Sequence, residues 1–435
     1  MDNHSTLFVD VNVLDGSGAD PFHGYVLVEG NKISKVGRGG HPTDLVADTI
    51  VDGANRTLMP GLCDAHLHLT WNDQPTLEHI TLMPPEEHLI HSINVAKKVL
   101  DAGFTSGVGA AAARPRFDCI LRNAINNGDI VGPRYLANGQ EICTAGGLGD
   151  TSPVHVDIQD LSFGWRVSGP EEMRKTVRMY IKYGVDLIKL NLSGEEITPV
   201  AAQTTPMSEE EVAMAMQEIR PYGLRACAHA RSADSVKQCL RHGVQIIYHA
   251  SYADEECMDE LERRKDEFFV GPGLAWLIQT SQGASDWGIA PDSPLAQVYA
   301  RELEIAVEGM KEMRKRGVRI VPGGDYGFAW TPHGTNAKDL EYFVDLIGMS
   351  EMEAIVSATK LGGDIMGMPD ELGLIKEGYL ADLLLIDGDP LGDIRILQDR
   401  DRLQVIMKDG RFHKNTAGVA DVGRLAASAP ARRTA

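Results

Sequence analysis

The sequence predicts an α/β protein: a (β/α)8 TIM-type barrel over residues 59–372, beside a small β-sandwich built from residues 1–58 and 373–415. Three observations carry this. Short β-type runs punctuated by Gly and Asn open the chain and return near its end. Between them, apolar strands alternate with longer amphipathic helices, the rhythm of a parallel sheet. His, Lys and Asp then recur at the C-terminal ends of those strands, the rim where such barrels carry functional groups.

The opening runs, Leu7–Val9, Tyr25–Val28 and Ile33–Val36, are separated by Gly16-Ser17-Gly18 and Gly30-Asn31-Lys32, as in antiparallel hairpins. An apolar strand entered through Pro60-Gly61 and ending at His68-Leu69 begins the barrel. Residues 84–103 predict a helix. Glu86 and Glu87 lie in its first turn, Leu89, Ile93, Ala96 and Leu100 fall at helical spacing, and Gly103 closes it. Further strands are predicted at Phe104–Val108, Tyr135–Gln140, Asp186–Leu192, Arg225–His229, Gln245–His249, Phe268–Gly271 and Arg319–Gly323, which with the first make eight. The β rhythm returns at Gly373–Gly378, Ala381–Ile386 and Val405–Arg411. Residues 416–435, rich in Ala, Arg and Ser, read as a flexible tail.

With 435 residues, 43% of them hydrophobic and 24% charged, the chain has ample material for a core. A formal charge of −20 argues against nucleic acid, whose binding rests on phosphate neutralisation, and against an anionic membrane surface. No apolar run approaches the roughly 20 residues of a membrane span. Six cysteines without a CxxC pair fit a reducing compartment, so the cytoplasm is the expected location.

His66-Leu67-His68 lies on a strand, where alternation points both imidazoles the same way: half of a metal site, or two satisfied histidines. Lys189 falls inside an apolar strand. Either its ammonium reaches the surface or it is paired or modified, because burying it unpaired is costly. His229 and His249 each end a later strand. Asp325 follows Gly323-Gly324, where the backbone makes a close approach or simply a turn. All six residues fall at strand ends of one barrel.

The segments Met59–His68, Asp186–Ser193, Ala228–Ala230, His249–Asp254 and Gly323–Gly327 resemble the amidohydrolase superfamily. So does the run from His333-Gly334-Thr335-Asn336 through Ala381-Asp382-Leu383 to Asp389-Pro390-Leu391. The branch resembled is that of binuclear enzymes similar to imidazolonepropionase, Xaa-Pro dipeptidase and ochratoxin amidase, and the likeness runs from Val9 to Arg411. It implies a first metal on His66, His68 and Asp325, a second on His229 and His249, and Lys189 carboxylated by CO2 between them. Zinc is the first expectation for both ions, with manganese and cobalt compatible.

The implied reaction is hydrolysis of the amide bond to a C-terminal amino acid in a dipeptide or N-acyl amino acid, with Asp325 as general base and then general acid. By the same resemblance Tyr252 would contact the substrate's free α-carboxylate, and His333 would bond its carbonyl or carboxylate during catalysis. Asn336 would join the substrate site, and Arg231 would bind an anion or make a structural ion pair. Leu148 stands where relatives carry histidine, which implies a bulkier, less polar substrate of the kind represented by ochratoxin A. Trp71, Trp165, Trp276, Trp287 and Trp330 are rim residues placed to line such a pocket. The alternatives are a cyclic-amide hydrolase of the imidazolonepropionase type and a catalytically dead metal-binding barrel. Relatives form homo-oligomers, often octamers, and the same is implied here.

Overall fold

The computed structural model describes residues 4–156 and 158–418; residues 419–435 of the expected tail lie outside them. The N-terminal segment forms β1 (Ser5–Val13), β2 (Phe22–Glu29), β3 (Lys32–Arg38), β4 (Thr49–Asp52) and β5 (Thr57–Pro60). The middle of the chain gives β6 (Leu62–Leu67), β7 (Phe104–Gly109), β8 (Arg134–Leu136), β9 (Ile142–Thr144) and β10 (Trp165–Val167). It continues with β11 (Leu187–Asn191), β12 (Arg225–Ala230), β13 (Ile246–His249) and β14 (Phe269–Gly271). The last strands are β15 (Leu383–Ile386), β16 (Leu403–Lys408) and β17 (Arg411–Asn415).

Two compact units result: one joins the residues up to Leu62 to those from Glu351 onward, the other is Cys63–Ser350. In the first, strands from both parts of the chain form one sheet in the order β17-β16-β15-β5-β1-β2-β3, with β4 also on β1. Alternation along β1 and β2 sorts the core: Phe8, Val11, Val26, Leu385 and Val405 pack together, while Leu7, Val9, Tyr25, Leu27 and Ile50 form a separate cluster. Where two layers are expected, a single ladder connects all eight strands. β5 meets β15 edge to edge, Leu58 opposite Leu385, and an apolar pattern alone does not distinguish edge pairing from face packing. This unit also includes the helices Glu351–Ala358 and Lys360–Ile365, which the sequence places in the barrel segment.

The second unit is α/β. Its strands form two sheets, β6-β7-β8 and β10-β9-β11-β12-β13-β14, with parallel pairing between β7 and β8 and throughout the larger sheet. Helices connect the strands; the one predicted at residues 84–103 spans Pro85–Asp101, with Glu86 and Glu87 in its first turn. Register aligns the strand ends: Asn191 lies opposite His229, and Ala230 opposite His249.

Two predicted strands are irregular. Only Arg134–Leu136 of the third forms a ladder; beyond it the Asp186 amide donates to Ala137 (2.8 Å) and the Ala112 amide to Gly139 (2.8 Å). A Cβ on Gly139 would stand 2.8 Å from the Tyr180 ring, so glycine lets that ring pack on the backbone. The eighth is reduced to one bridge, Ile320 to Val270, and Pro322 accepts a bond from the Ala65 amide (2.8 Å). Proline has no N–H with which to continue a ladder. A Cβ on the next residue, Gly323, would lie 2.5 Å from His66 Cβ, so only glycine lets this segment press against β6.

Candidate metal centre

β6 carries His66 at its end and His68 just beyond, and the segment after Pro322 carries Asp325. Asp325 Oδ1 lies 3.0 Å from His68 Nε2 and 3.4 Å from His66 Nε2, and one ligand atom from each residue falls within 4.8 Å of the others. β12 and β13 bring His229 and His249 alongside, with ring centroids 4.5 Å apart, and His249 is 5.4 Å from His66. Lys189, on β11, is 3% exposed; its Nζ stands 4.9 Å over the Tyr248 ring, and no ion pair or hydrogen bond from the described residues holds it. All six residues therefore converge at strand ends.

Hydrogen bonding fixes where the lone pairs face. His68 Nδ1 is 3.0 Å from the Ala111 carbonyl, so it donates there and Nε2 is left to face the Asp325 carboxylate, acceptor against acceptor. His229 Nε2 donates to the Gly194 carbonyl at 2.9 Å, which frees Nδ1. His66 Nδ1 and both ring nitrogens of His249 are buried without any partner. Buried imidazole nitrogens left unpaired, beside a carboxylate aimed at a lone pair, fit divalent metal, which takes neutral His and carboxylate together. Tyr248 stacks on His66 (3.7 Å between centroids) and Trp71 on His68 (3.5 Å), locking both rings.

Charge agrees with ligand duty. Burial holds the imidazoles of His66, His68, His229 and His249 below their ordinary pKa, so they are neutral and able to bind metal. Burial opposes ionisation of Asp325, but His66, His68 and Lys189 outweigh it and keep the carboxyl far below its usual range. The backbone of His249 (φ 75°), Ala250 (φ 51°) and Asp325 (φ 63°) is left-handed, a strained conformation for these residues that clusters here at the ligands.

The residues expected to meet substrate divide. Tyr252 is partly exposed, its phenol pushed up by burial and by the charge of Glu302. Leu148 is 7% exposed and its carbonyl accepts from Asn191 Nδ2 (3.0 Å). Arg231 is fully buried, paired with Glu195 and with Glu302 (2.6 Å each). Of its two readings the structure therefore displays the ion pair: Glu302 lies 71 residues away on a helix that sequence pattern alone does not place. His333 Nδ1 bonds Asp73 (2.7 Å) and its Nε2 bonds the His68 carbonyl (2.9 Å), so both ring nitrogens are engaged by protein. Asn336 Nδ2 donates to Asp64, which in turn accepts from the His66 amide (2.6 and 2.8 Å). In this structure His333 and Asn336 brace the segment that carries His66 and His68, and Arg231 is spent on its carboxylate partners, rather than offering free polar atoms to a substrate.

Sequence reasoning missed Asp64, Asp73 and Glu141. Glu141 alone left a signal: a charge directly before the apolar Ile142-Cys143 at a strand end. Burial pushes its carboxyl up to about 7, against the lowering effect of Lys189. A cavity of about 1290 Å³ is lined by the loop after β9, by Glu196–Pro199 after β11, and by Trp287 and Trp330. Trp276 instead packs under Trp330, and Trp165 against Tyr180.

The family model for the amidohydrolase family matches residues 57–412. Ochratoxinase from Aspergillus niger is 27% identical over 381 residues, 82% of this chain and 75% of that protein. An imidazolonepropionase from Rubrobacter xylanophilus is 23% identical over 409 residues, 88% of this chain and 89% of that protein. Among solved structures, a Xaa-Pro dipeptidase with methionine bound in its active site superposes with a TM-score of 0.82 at 27% identity, covering 94% of this chain and all of that one.

Proposed function

Because the chain belongs to the amidohydrolase family and is a hydrolase of amide C–N bonds, we propose that it releases a C-terminal amino acid from dipeptides or N-acyl amino acids at a binuclear metal centre. The observation that carries this is the convergence of His66 and His68 Nε2 on Asp325 Oδ1, at 3.4 and 3.0 Å, within one cluster of buried ligand atoms. The scaffold presenting them is a closed (β/α)8 barrel. The Ile320–Val270 bridge and the Ala65–Pro322 and Asp186–Ala137 hydrogen bonds support closure.

Divalent ions, zinc first, would be held by His66, His68 and Asp325 and by His229 and His249, with Lys189 carboxylated between them, and would supply carbonyl polarisation and hydroxide near neutral pH. Asp325 accepts the proton of the attacking water and passes it to the leaving nitrogen. The Ala111 carbonyl and the Trp71 ring keep His68 in the tautomer and orientation this requires. Carboxylation makes Lys189 an anion and so resolves its unpaired burial. Tyr252 reads the free α-carboxylate of the departing amino acid. A bulky, apolar or aromatic acyl group of the ochratoxin type sits in the cavity walled by Trp287 and Trp330.

A panel of N-acyl amino acids, their carboxyl-blocked amides and esters, and cyclic amides tests the reading. Turnover is expected only where the α-carboxylate is free. Turnover indifferent to blocking would sink it, and turnover of cyclic amides alone would favour chemistry of the imidazolonepropionase type.

A further inference from the structure

Arg231 ties the exits of three strands to one helix. Its backbone amide donates to Ser193 Oγ (2.8 Å), beyond β11, and its carbonyl accepts from the Tyr252 amide (2.9 Å), beyond β13. Its fully buried guanidinium donates through Nε to Glu195 Oε2 and through Nη1 to Glu302 Oε1 (2.6 Å each), and reaches Ser251 Oγ at 3.3 Å. Glu302, also fully buried, lies on the helix Pro294–Lys315. Tyr299, one turn earlier on that helix, donates its hydroxyl to the other oxygen of Glu195.

Glu195 connects this network to the metal centre through its neighbour. The Gly194 carbonyl accepts from His229 Nε2 (2.9 Å), the bond that leaves Nδ1 for a metal. Gly194 has little slack: a Cβ there would stand 2.2 Å from the Val200 carbonyl oxygen and 2.4 Å from that of Ala201. The Gly194 amide donates to Thr204 (3.0 Å) and the Glu195 amide to Val200 (2.9 Å), so the loop is closed on one side and clamped by Arg231 on the other. Removing these charged groups from water costs roughly what their pairing returns, so the network adds little net stability. What it adds is orientation, because a planar guanidinium accepts partners only in fixed directions.

We propose that Glu195, Arg231 and Glu302 form a positioning network for the second metal alone, holding the Gly194 carbonyl against His229 so that the imidazole keeps Nδ1 turned to the ion. This rests on the binuclear reading above and deepens it by dividing the support of the two metals. His66 and His68 are braced by a different set, Asp64 with Asn336 and Asp73 with His333.

The test follows zinc release from the zinc-loaded chain to a chromogenic chelator in wild type, Arg231→Lys and Glu302→Gln, with melting temperature recorded for each. Lysine keeps the charge without the fork, and glutamine keeps the shape of glutamate without its charge. In both variants one zinc per chain is expected to leave about tenfold more readily than in wild type, while the other leaves as in wild type. Activity on the best substrate of the panel above is expected to fall with that zinc and to return when zinc is added in excess. Tyr299→Phe deletes one hydroxyl and keeps the packing, so it reads the network even where the larger changes prevent folding; the same selective release, several-fold, is expected of it. A merely structural network would lower the melting temperature and loosen both zincs together. That result, or release unchanged in all three variants, overturns the proposal and leaves the binuclear reading standing. A wild type that holds one zinc or fewer overturns both.

Discussion

Lys189 concentrates the chemistry of the site in one side chain. An ammonium 3% exposed over the Tyr248 ring is costly to keep as a cation, and the proposed carboxylation would turn it into an anionic ligand. Lys189→Ala should therefore lose bound metal and activity together, by about a hundredfold or more in kcat/KM, and formate or acetate should restore part of both by occupying the vacated oxygen positions. Full metal content in Lys189→Ala would remove the residue from the ligand set. The Asp73–His333 pair makes a different prediction. His333 bonds the His68 carbonyl, so His333→Ala should loosen the first metal and lower its occupancy rather than act on KM alone; titration with a chelator reads the difference. The six candidate ligands were legible in the sequence because strand periodicity and strand ends fix where side chains point. The pairing of Arg231 with Glu302 and of His333 with Asp73 was not, since those partners lie 71 and 260 residues away.

Among the elements, the segment from Arg319 to Gly323 departs from its predicted strand and is closely fitted to β6. Its sequence reads as an ordinary strand, yet Pro322 breaks the ladder and Gly323 presses onto β6. Gly323→Ala would put a methyl group 2.5 Å from His66 Cβ. It should cost on the order of 1–3 kcal/mol of stability, as overpacking does, and displace His66 from Asp325. A lowered melting temperature with reduced metal occupancy is the expected result. A second element-level prediction concerns Asp118, on the helix Phe117–Asn127, which accepts from Thr70, Tyr135 and the Asn138 amide. Burial nevertheless pushes its carboxyl up to about 7, against roughly 3.9 in an unfolded chain. The native state then holds a proton that the unfolded state releases, so this contribution to stability is complete at low pH and declines as pH rises through about 7. Melting temperatures at pH 5 and pH 8 should differ less in Asp118→Asn than in wild type.

At the level of the whole molecule, every candidate ligand lies in the unit Cys63–Ser350, so the sheet shared by the two parts of the other unit contributes none. The α/β class and the place of the candidate ligands at strand ends followed from periodicity. Whether the flanking β segments form two layers or one sheet did not, because edge pairing and face packing demand the same alternation. Metal bound to the native state alone stabilises it by mass action, so chelation should lower the melting temperature and zinc should restore it. The most direct measurement is elemental analysis of the purified protein before and after incubation with zinc and bicarbonate. About two equivalents of divalent metal per chain are predicted, falling to about one or none in Lys189→Ala. Less than about one equivalent in the wild type, with no gain on adding zinc and bicarbonate, would contradict a binuclear centre built on His66, His68, Lys189, His229, His249 and Asp325.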